Sequence, residues 1–152
     1  LHAVLVVGRR WPRALSFERF FWAVAGVCAL IVLGLSVWLK PDARGIGTHE
    51  QLGLPPCGFV QMFEGVPCPS CGFTTTFALA AHARPLDAIH NQPFGFVLFL
   101  VTVAAVPITL IAAVRSVSLF EATERWPWGR LFIAFLALWL LAWLYKWQVL
   151  MR

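Results

Sequence analysis

Three uncharged apolar stretches of bilayer length predict an all-α membrane protein with three transmembrane helices, and two further features agree. Sixty per cent of the residues are hydrophobic, and tryptophans gather at the ends of the apolar stretches. A short interfacial or re-entrant helix after a cysteine motif completes the expected fold. Mean hydropathy is +0.77, above the soluble globular range, and 152 residues allow at most one ordinary domain. The net charge of +5 comes from basic residues flanking apolar runs. That placement suits control of topology, so no nucleic-acid partner is expected.

Residues 1–19 form a basic segment with Arg9, Arg10, Arg13 and Arg19 against Glu18 alone. The chain begins with Leu1 rather than Met, as a fragment or a literal reading of an unusual start codon would. Ser16 is the expected N-cap of the first helix. Residues 20–39 carry no charge and, at 1.5 Å per residue, reach about 30 Å, the thickness of a bilayer core. They are the first span, bracketed by Trp22 and Trp38. Cys28, in mid-span, reads as a small apolar residue.

Residues 40–93 form a long loop. Lys40-Pro41-Asp42 stops the first helix, and Gly45, Gly47, Gly53, Pro55 and Pro56 mark irregular chain. Phe73 to Ala83 is apolar but too short to cross a membrane, and Arg84-Pro85 ends it. Leu86 to Asn91 is a second short helical turn, closed by Gln92-Pro93. Residues 94–114 are the second span, with Pro107 as an expected kink. Residues 115–130 are a short polar loop, and residues 131–150 the third span, where Lys146 is expected to snorkel to the headgroups.

Lys and Arg are denser in the N-terminal segment and the 115–130 loop than in the 40–93 loop and the C-terminal end. This predicts a cytoplasmic N-terminus and an extracytoplasmic cysteine loop, in the inner membrane of a bacterium.

The chemistry concentrates in Cys68-Pro69-Ser70-Cys71-Gly72-Phe73-Thr74, with Cys57 eleven positions before Cys68. Three readings are open. A Cys-Pro-x-Cys-Gly turn aims two thiolates at one ion, zinc or iron, with Cys57 as a third ligand and His49 or His90 on loop chain as a fourth. His82 is about 16 Å from Cys71 if the intervening chain is helical. A dithiol pair at a helix N-terminus would instead have redox character. A structural disulfide from Cys57 to Cys68 or Cys71 would close a loop for about 3 kcal/mol. Gly72 follows Cys71 where haem attachment needs histidine. Trp139, Trp143 and Trp147 share one helix face, read as a lipid-facing or packing stripe. Asp87 and His90 read as a solvated local pair. No phosphate loop, serine elbow or HExxH is present, so no catalytic residue is assigned.

The run Cys57…Gly65-Val66-Pro67-Cys68-Pro69-Ser70-Cys71-Gly72-Phe73-Thr74, followed by Asn91-Gln92-Pro93 and an apolar span, resembles a bacterial membrane family catalogued as domain of unknown function 2752. The likeness covers roughly residues 50–115. The resemblance implies that Cys57, Cys68, Pro69, Cys71, Gly72 and Thr74 are marked positions, with Asn91 and Pro93 in a following Asn-Pro pair. Two departures stand out: Thr75 where the family usually has arginine, and Gln92 inserted between Asn91 and Pro93. The resemblance implies membrane location and fold and carries no activity. The sequence thus points to a non-enzymatic small subunit or assembly factor of a larger membrane complex. Its partners would be other integral-membrane proteins and the bilayer. The alternative is a thiol-redox or metal-handling protein.

Overall fold

The computed structural model describes residues 14–63 and 66–150. Helix α1 (Ser16–Trp38) leads through a 3-10 turn (Thr48–Leu52) and α2 (Gly58–Met62) to α3 (Phe73–Ala81) and α4 (Pro85–Asn91). Then come α5 (Pro93–Arg115), α6 (Leu119–Thr123) and α7 (Trp128–Leu150). The described residues hold no strand, and α1, α5 and α7 are long and apolar enough to cross a membrane. The expected fold class is therefore present. Arg9, Arg10 and Arg13 of the basic segment lie outside the described residues.

Helix α1 begins at Ser16, so the serine is its first helical residue. The cap position belongs to Leu15, in extended conformation. Glu18, on the first turn, is buried. It accepts hydrogen bonds from Ser118 Oγ (2.8 Å), the Phe120 amide (3.3 Å) and Trp22 Nε1 (3.3 Å). Arg19 Nε donates to the Ala113 carbonyl at 3.1 Å. These bonds set the start of α1 beside the end of α5, so the two helices run antiparallel. The loop read as merely polar therefore contains a short helix, α6, docked on a buried carboxylate.

The α1–α5 pair is the main helix–helix packing of the molecule. Gly26 makes it possible. A Cβ there would lie 2.7 Å from Leu110 Cδ2 and 2.8 Å from Thr109 Oγ1. Small residues at such a crossing let two backbones approach, which matters in lipid, where apolar exclusion does not drive helices together. Helix α5 starts with Pro93 in its first turn, where a missing N–H costs nothing, and continues through Pro107.

Helix α7 makes few helix–helix contacts, chiefly Phe135 edge-on to Phe94 of α5 at 5.0 Å. Its less exposed residues include Leu136, Trp139, Ala142, Trp143 and Lys146. These recur at helical spacing and define one inward face.

The chain after α1 is ordered by its own side chains. Gln51 bridges the Lys40 backbone, accepting from its N–H (3.1 Å) and donating to its carbonyl (2.6 Å). Thr48 Oγ1 accepts from the Asp42 amide at 3.0 Å and lies 2.8 Å from Thr75 Oγ1 of α3, both residues fully buried. Arg44 pairs with Asp42 and Glu50, at 2.8 and 2.9 Å. Its hydrogen bonds, first to Asp42, hold the guanidinium above its ordinary value and help hold the Asp42 carboxyl below its own. Asp87 pairs with Arg84 at 2.7 Å and not with His90. The arginine is fixed in charge and three residues away on the same side of the short helix.

The Gly26 crossing gives a direct test. Gly26→Val should lower the thermal unfolding midpoint of detergent-extracted protein, at a cost of about 1–3 kcal/mol for overpacking. Gly34→Val should be near neutral, because a Cβ there meets nothing within 4 Å.

Candidate metal centre

The cysteine motif is a turn before it is a site. The Cys71 amide donates to the Cys68 carbonyl at 2.9 Å and the Phe73 amide to the Ser70 carbonyl at 3.2 Å. Pro69 pre-sets the dihedral of the turn. Gly72 follows with φ 89°, and a Cβ there would lie 2.9 Å from the Gly45 carbonyl oxygen. Only glycine meets both conditions. Helix α3 then departs from Phe73.

This turn brings the three thiols together. Cys68 Sγ lies 3.2 Å from Cys71 Sγ, which lies 3.5 Å from Cys57 Sγ, and all three sulfurs fall within 4.8 Å of one another. A tetrahedral zinc–thiolate centre with 2.3 Å bonds has sulfurs about 3.8 Å apart. The trio therefore has the dimensions of a site that can hold a metal ion. Cys71 is buried, and Cys57 and Cys68 are half-buried. Cys28 lies apart, exposed on α1.

The sulfurs are electrostatically unequal. Burial and the adjacent thiols of Cys68 and Cys57 push Cys71 up, although the Cys68 amide, 3.2 Å from its sulfur, opposes them. Burial also acts against the Cys57 thiolate. The Val60 amide, the Cys71 thiol and the Phe59 amide outweigh it and hold Cys57 below its ordinary value. Of these two thiols, Cys57 is the readier thiolate and Cys71 the more resistant. A cation at the centre reverses the second effect, because a coordinating thiol is deprotonated outright.

The histidines separate clearly. His49 lines a cavity of about 410 Å³ together with Cys57, Cys68, Cys71, Glu50 and Arg44. Its Nε2 is 3.2 Å from the Pro55 carbonyl. His90 lines a different cavity, beside Lys146. His82 turns Nδ1 onto the Ala78 carbonyl of its own helix at 2.8 Å. Of the two sequence candidates for a fourth ligand, His49 shares a cavity with the thiols, although the close cluster of ligand atoms among the described residues comprises the three sulfurs alone.

Asn91 holds the turn from behind. Its Nδ2 donates to the Gly72 carbonyl (3.1 Å) and Thr76 Oγ1 (2.9 Å), while Oδ1 accepts from Lys146 Nζ (2.7 Å). Lys146 Nζ also donates to the Gly45 carbonyl at 3.1 Å, and the residue is 1 % exposed. Lys146 therefore does not snorkel: acceptors from two loop segments reach it before the headgroups do. Trp143 leaves the lipid-facing reading as well, since its Nε1 donates to the carbonyl of buried Pro67 at 2.7 Å. Tyr145 OH donates to the His90 carbonyl at 3.0 Å.

Thr74, a marked motif position, is exposed at the cavity mouth, while Thr75 and Thr76 next to it are buried and bonded. Gln92 is buried, and its side-chain amide has no partner among the described residues. Sequence reasoning missed Lys146 as part of this site. The available signal was a single cation inside an apolar run, which by default marks function.

Residues 57–106 match a family described as protein of unknown function (DUF2752). The match starts at Cys57 and runs through the cysteine turn, Asn91 and Pro93 into the first half of α5, about a third of the chain. The chain resembles that family there. No curated protein and no solved structure matches the chain.

The bonds of Asn91 are open to test. Asn91→Ala removes the donor to Gly72 and Thr76 and one acceptor of Lys146. It should cost about 2–4 kcal/mol. Thermal unfolding should show the loss, and Cys71 should become more reactive to a membrane-impermeant thiol reagent.

Proposed function

We propose that this chain is a small multi-pass protein of a bacterial inner membrane that carries a thiolate metal knuckle in its extracytoplasmic loop. In this reading it is a non-enzymatic stabilising subunit of a larger membrane assembly. The carrying observation is the convergence of Cys57, Cys68 and Cys71 within 4.8 Å. A disulfide uses two of these sulfurs and strands the third, whereas a metal ion uses all three. Thiolate ligands in near-tetrahedral spacing favour a zinc-class divalent ion, with iron as the second candidate.

Bound there, the ion would tie the start of α2 to the turn before α3. The loop would then be rigid without a hydrophobic core of its own. Support for an assembly role comes from α7, only 6 % of whose apolar window is buried inside the chain. Wide helix faces of this kind suit neighbouring helices as well as lipid.

A second reading has one observation in its favour. Cys68 and Cys71 are the closest thiol pair, at 3.2 Å, ahead of the first turn of α3. That is the arrangement of a dithiol switch, with Cys57 spare.

Protein extracted in mild detergent without chelators should carry about one equivalent of zinc or iron. Cys57→Ser, Cys68→Ser and Cys71→Ser should each reduce it sharply, and chelation should lower the unfolding midpoint. Metal-free protein with a Cys68–Cys71 bridge and Cys57 free would move the assignment to redox chemistry. A Cys57 bridge would make the motif a structural disulfide. Gentle extraction should also recover the chain with other membrane proteins, and a lone monomer would defeat the subunit role.

Orientation is tested separately. A periplasm-dependent reporter fused after Asn91 should be active and one fused after Glu124 inactive; the reverse pattern would invert the topology.

A further inference from the structure

Lys146 poses an electrostatic problem that the metal reading resolves. Its side chain is almost wholly buried, and its ammonium meets only the neutral oxygens of Gly45 and Asn91. No carboxylate pairs with it among the described residues: Asp42 and Glu50 are taken by Arg44, and Asp87 by Arg84. A buried charge without a counter-charge costs several kcal/mol. Asp42 and Asp87 line the same cavity as Lys146 but are so engaged, and among the described residues the cysteine turn is the further group beside it that can carry negative charge. Lys146 Cε lies 3.3 Å from where a Cβ of Gly72 would stand, and Gly72 directly follows Cys71.

Resting on the metal reading above, we propose that Lys146 is the counter-charge of the metal–thiolate centre, and that the charge balance it sets makes the fourth ligand the neutral His49. Three thiolates around a divalent ion leave one negative charge, and Lys146 supplies one positive charge. A neutral fourth ligand keeps that balance. Among the described residues, two side chains in the cysteine cavity could serve as the fourth ligand, His49 and Glu50. Glu50 would add a second negative charge and is already held by Arg44 at 2.9 Å. His49 adds none. Its Nε2 has one backbone acceptor, Pro55, two residues before Cys57. Coordination would exchange that contact for the ion, from a residue that already lines the shared cavity.

Lys146 is a positioning residue in this account, since it touches the turn and not the ion. It also links the third span to the loading of the site. The loop carbonyls that it and Trp143 bind belong to Gly45 and Pro67, next in the chain to the cavity-lining residues Arg44, Ile46 and Cys68.

The test is Co²⁺ titration of the full-length chain in detergent, read by thiolate-to-cobalt charge transfer and by the ligand-field bands. Wild type should bind one Co²⁺ with tetrahedral bands. Lys146→Met should bind about tenfold more weakly or worse with the same bands, and Lys146→Arg should recover most of the affinity. Metal-free Lys146→Met should unfold at or above the wild-type temperature, because it loses an uncompensated buried charge. Gly45 and Asn91 both line an open cavity from which water can reach their oxygens. His49→Gln should move the ligand-field bands while keeping the charge-transfer intensity, and Glu50→Gln should move neither.

Wild-type affinity in Lys146→Met would overturn the counter-charge. So would a fall in metal-free stability that accounts for the lost affinity, since Lys146 would then be only a structural tie. Unchanged bands in His49→Gln, or shifted bands in Glu50→Gln, would overturn the neutral fourth ligand. Absence of Co²⁺ binding by folded wild type would defeat the metal reading itself, and this inference with it.

Discussion

The carboxamide of Asn91 is the hinge of the cysteine-bearing end of the molecule. One amide group bonds the Gly72 carbonyl, Thr76 and Lys146. It thereby joins the cysteine turn, the start of α3 and the end of α7. The Gly72 carbonyl accepts the first backbone bond of α3, from the Thr76 amide at 2.8 Å, and the Asn91 amide is a second donor to the same oxygen. The position of Asn91 follows from the break between α4 and α5. Gln92 is extended there, with φ −159° and ψ 97°, before Pro93 restarts the helix.

The two ends of the bundle are fixed by different charges under the same rule. At one end the Glu18 carboxylate, buried, gathers donors from Ser118, Phe120 and Trp22. At the other the Lys146 ammonium, buried, gathers acceptors from Gly45 and Asn91. Between them the helices hold by close approach, as at Gly26. Apolar residues give no preference for one rotation of a helix in lipid, whereas a directed hydrogen bond does. The rotation of α7 is thus set by Trp143, Tyr145 and Lys146 rather than by its leucines.

Most of the architecture was legible in the sequence, because span length and charge exclusion are one-dimensional signals. The three long helices lie close to the uncharged runs, and the short helix after Cys71 appears where its apolar run is too short to cross. The convergence of the cysteines was legible as a motif but not as geometry. Cys57 reaches Cys71 only because Gly58–Met62 forms a turn of helix that the glycines and prolines around it obscured. The roles of Lys146 and Trp143 were not legible. Periodicity identifies a face but not what lies opposite, and the acceptors opposite, Gly45 and Pro67, are about a hundred and about eighty residues earlier in the chain. Ser16 was misread because a polar residue before an apolar run resembles a cap, yet here the first-turn charge of Glu18 finds tertiary donors.

The two departures from the family pattern bear on the electrostatics of the site. Both Thr75 and Gln92 are fully buried. Thr75 meets Thr48 by a hydroxyl–hydroxyl bond of 2.8 Å, which fastens the chain bearing His49 onto α3 without adding charge. An arginine at that position, one helical turn after Cys71, would bring a second fixed cation to the thiols. It would have to displace the Thr48 contact to fit. With threonine there, Lys146 is the one cation whose charge remains uncompensated beside the motif among the described residues. On the proposed charge balance, the cation set against the thiolates comes from α7, which carries none of the motif, rather than from α3, and a lysine buried near the end of an otherwise apolar span has a role there.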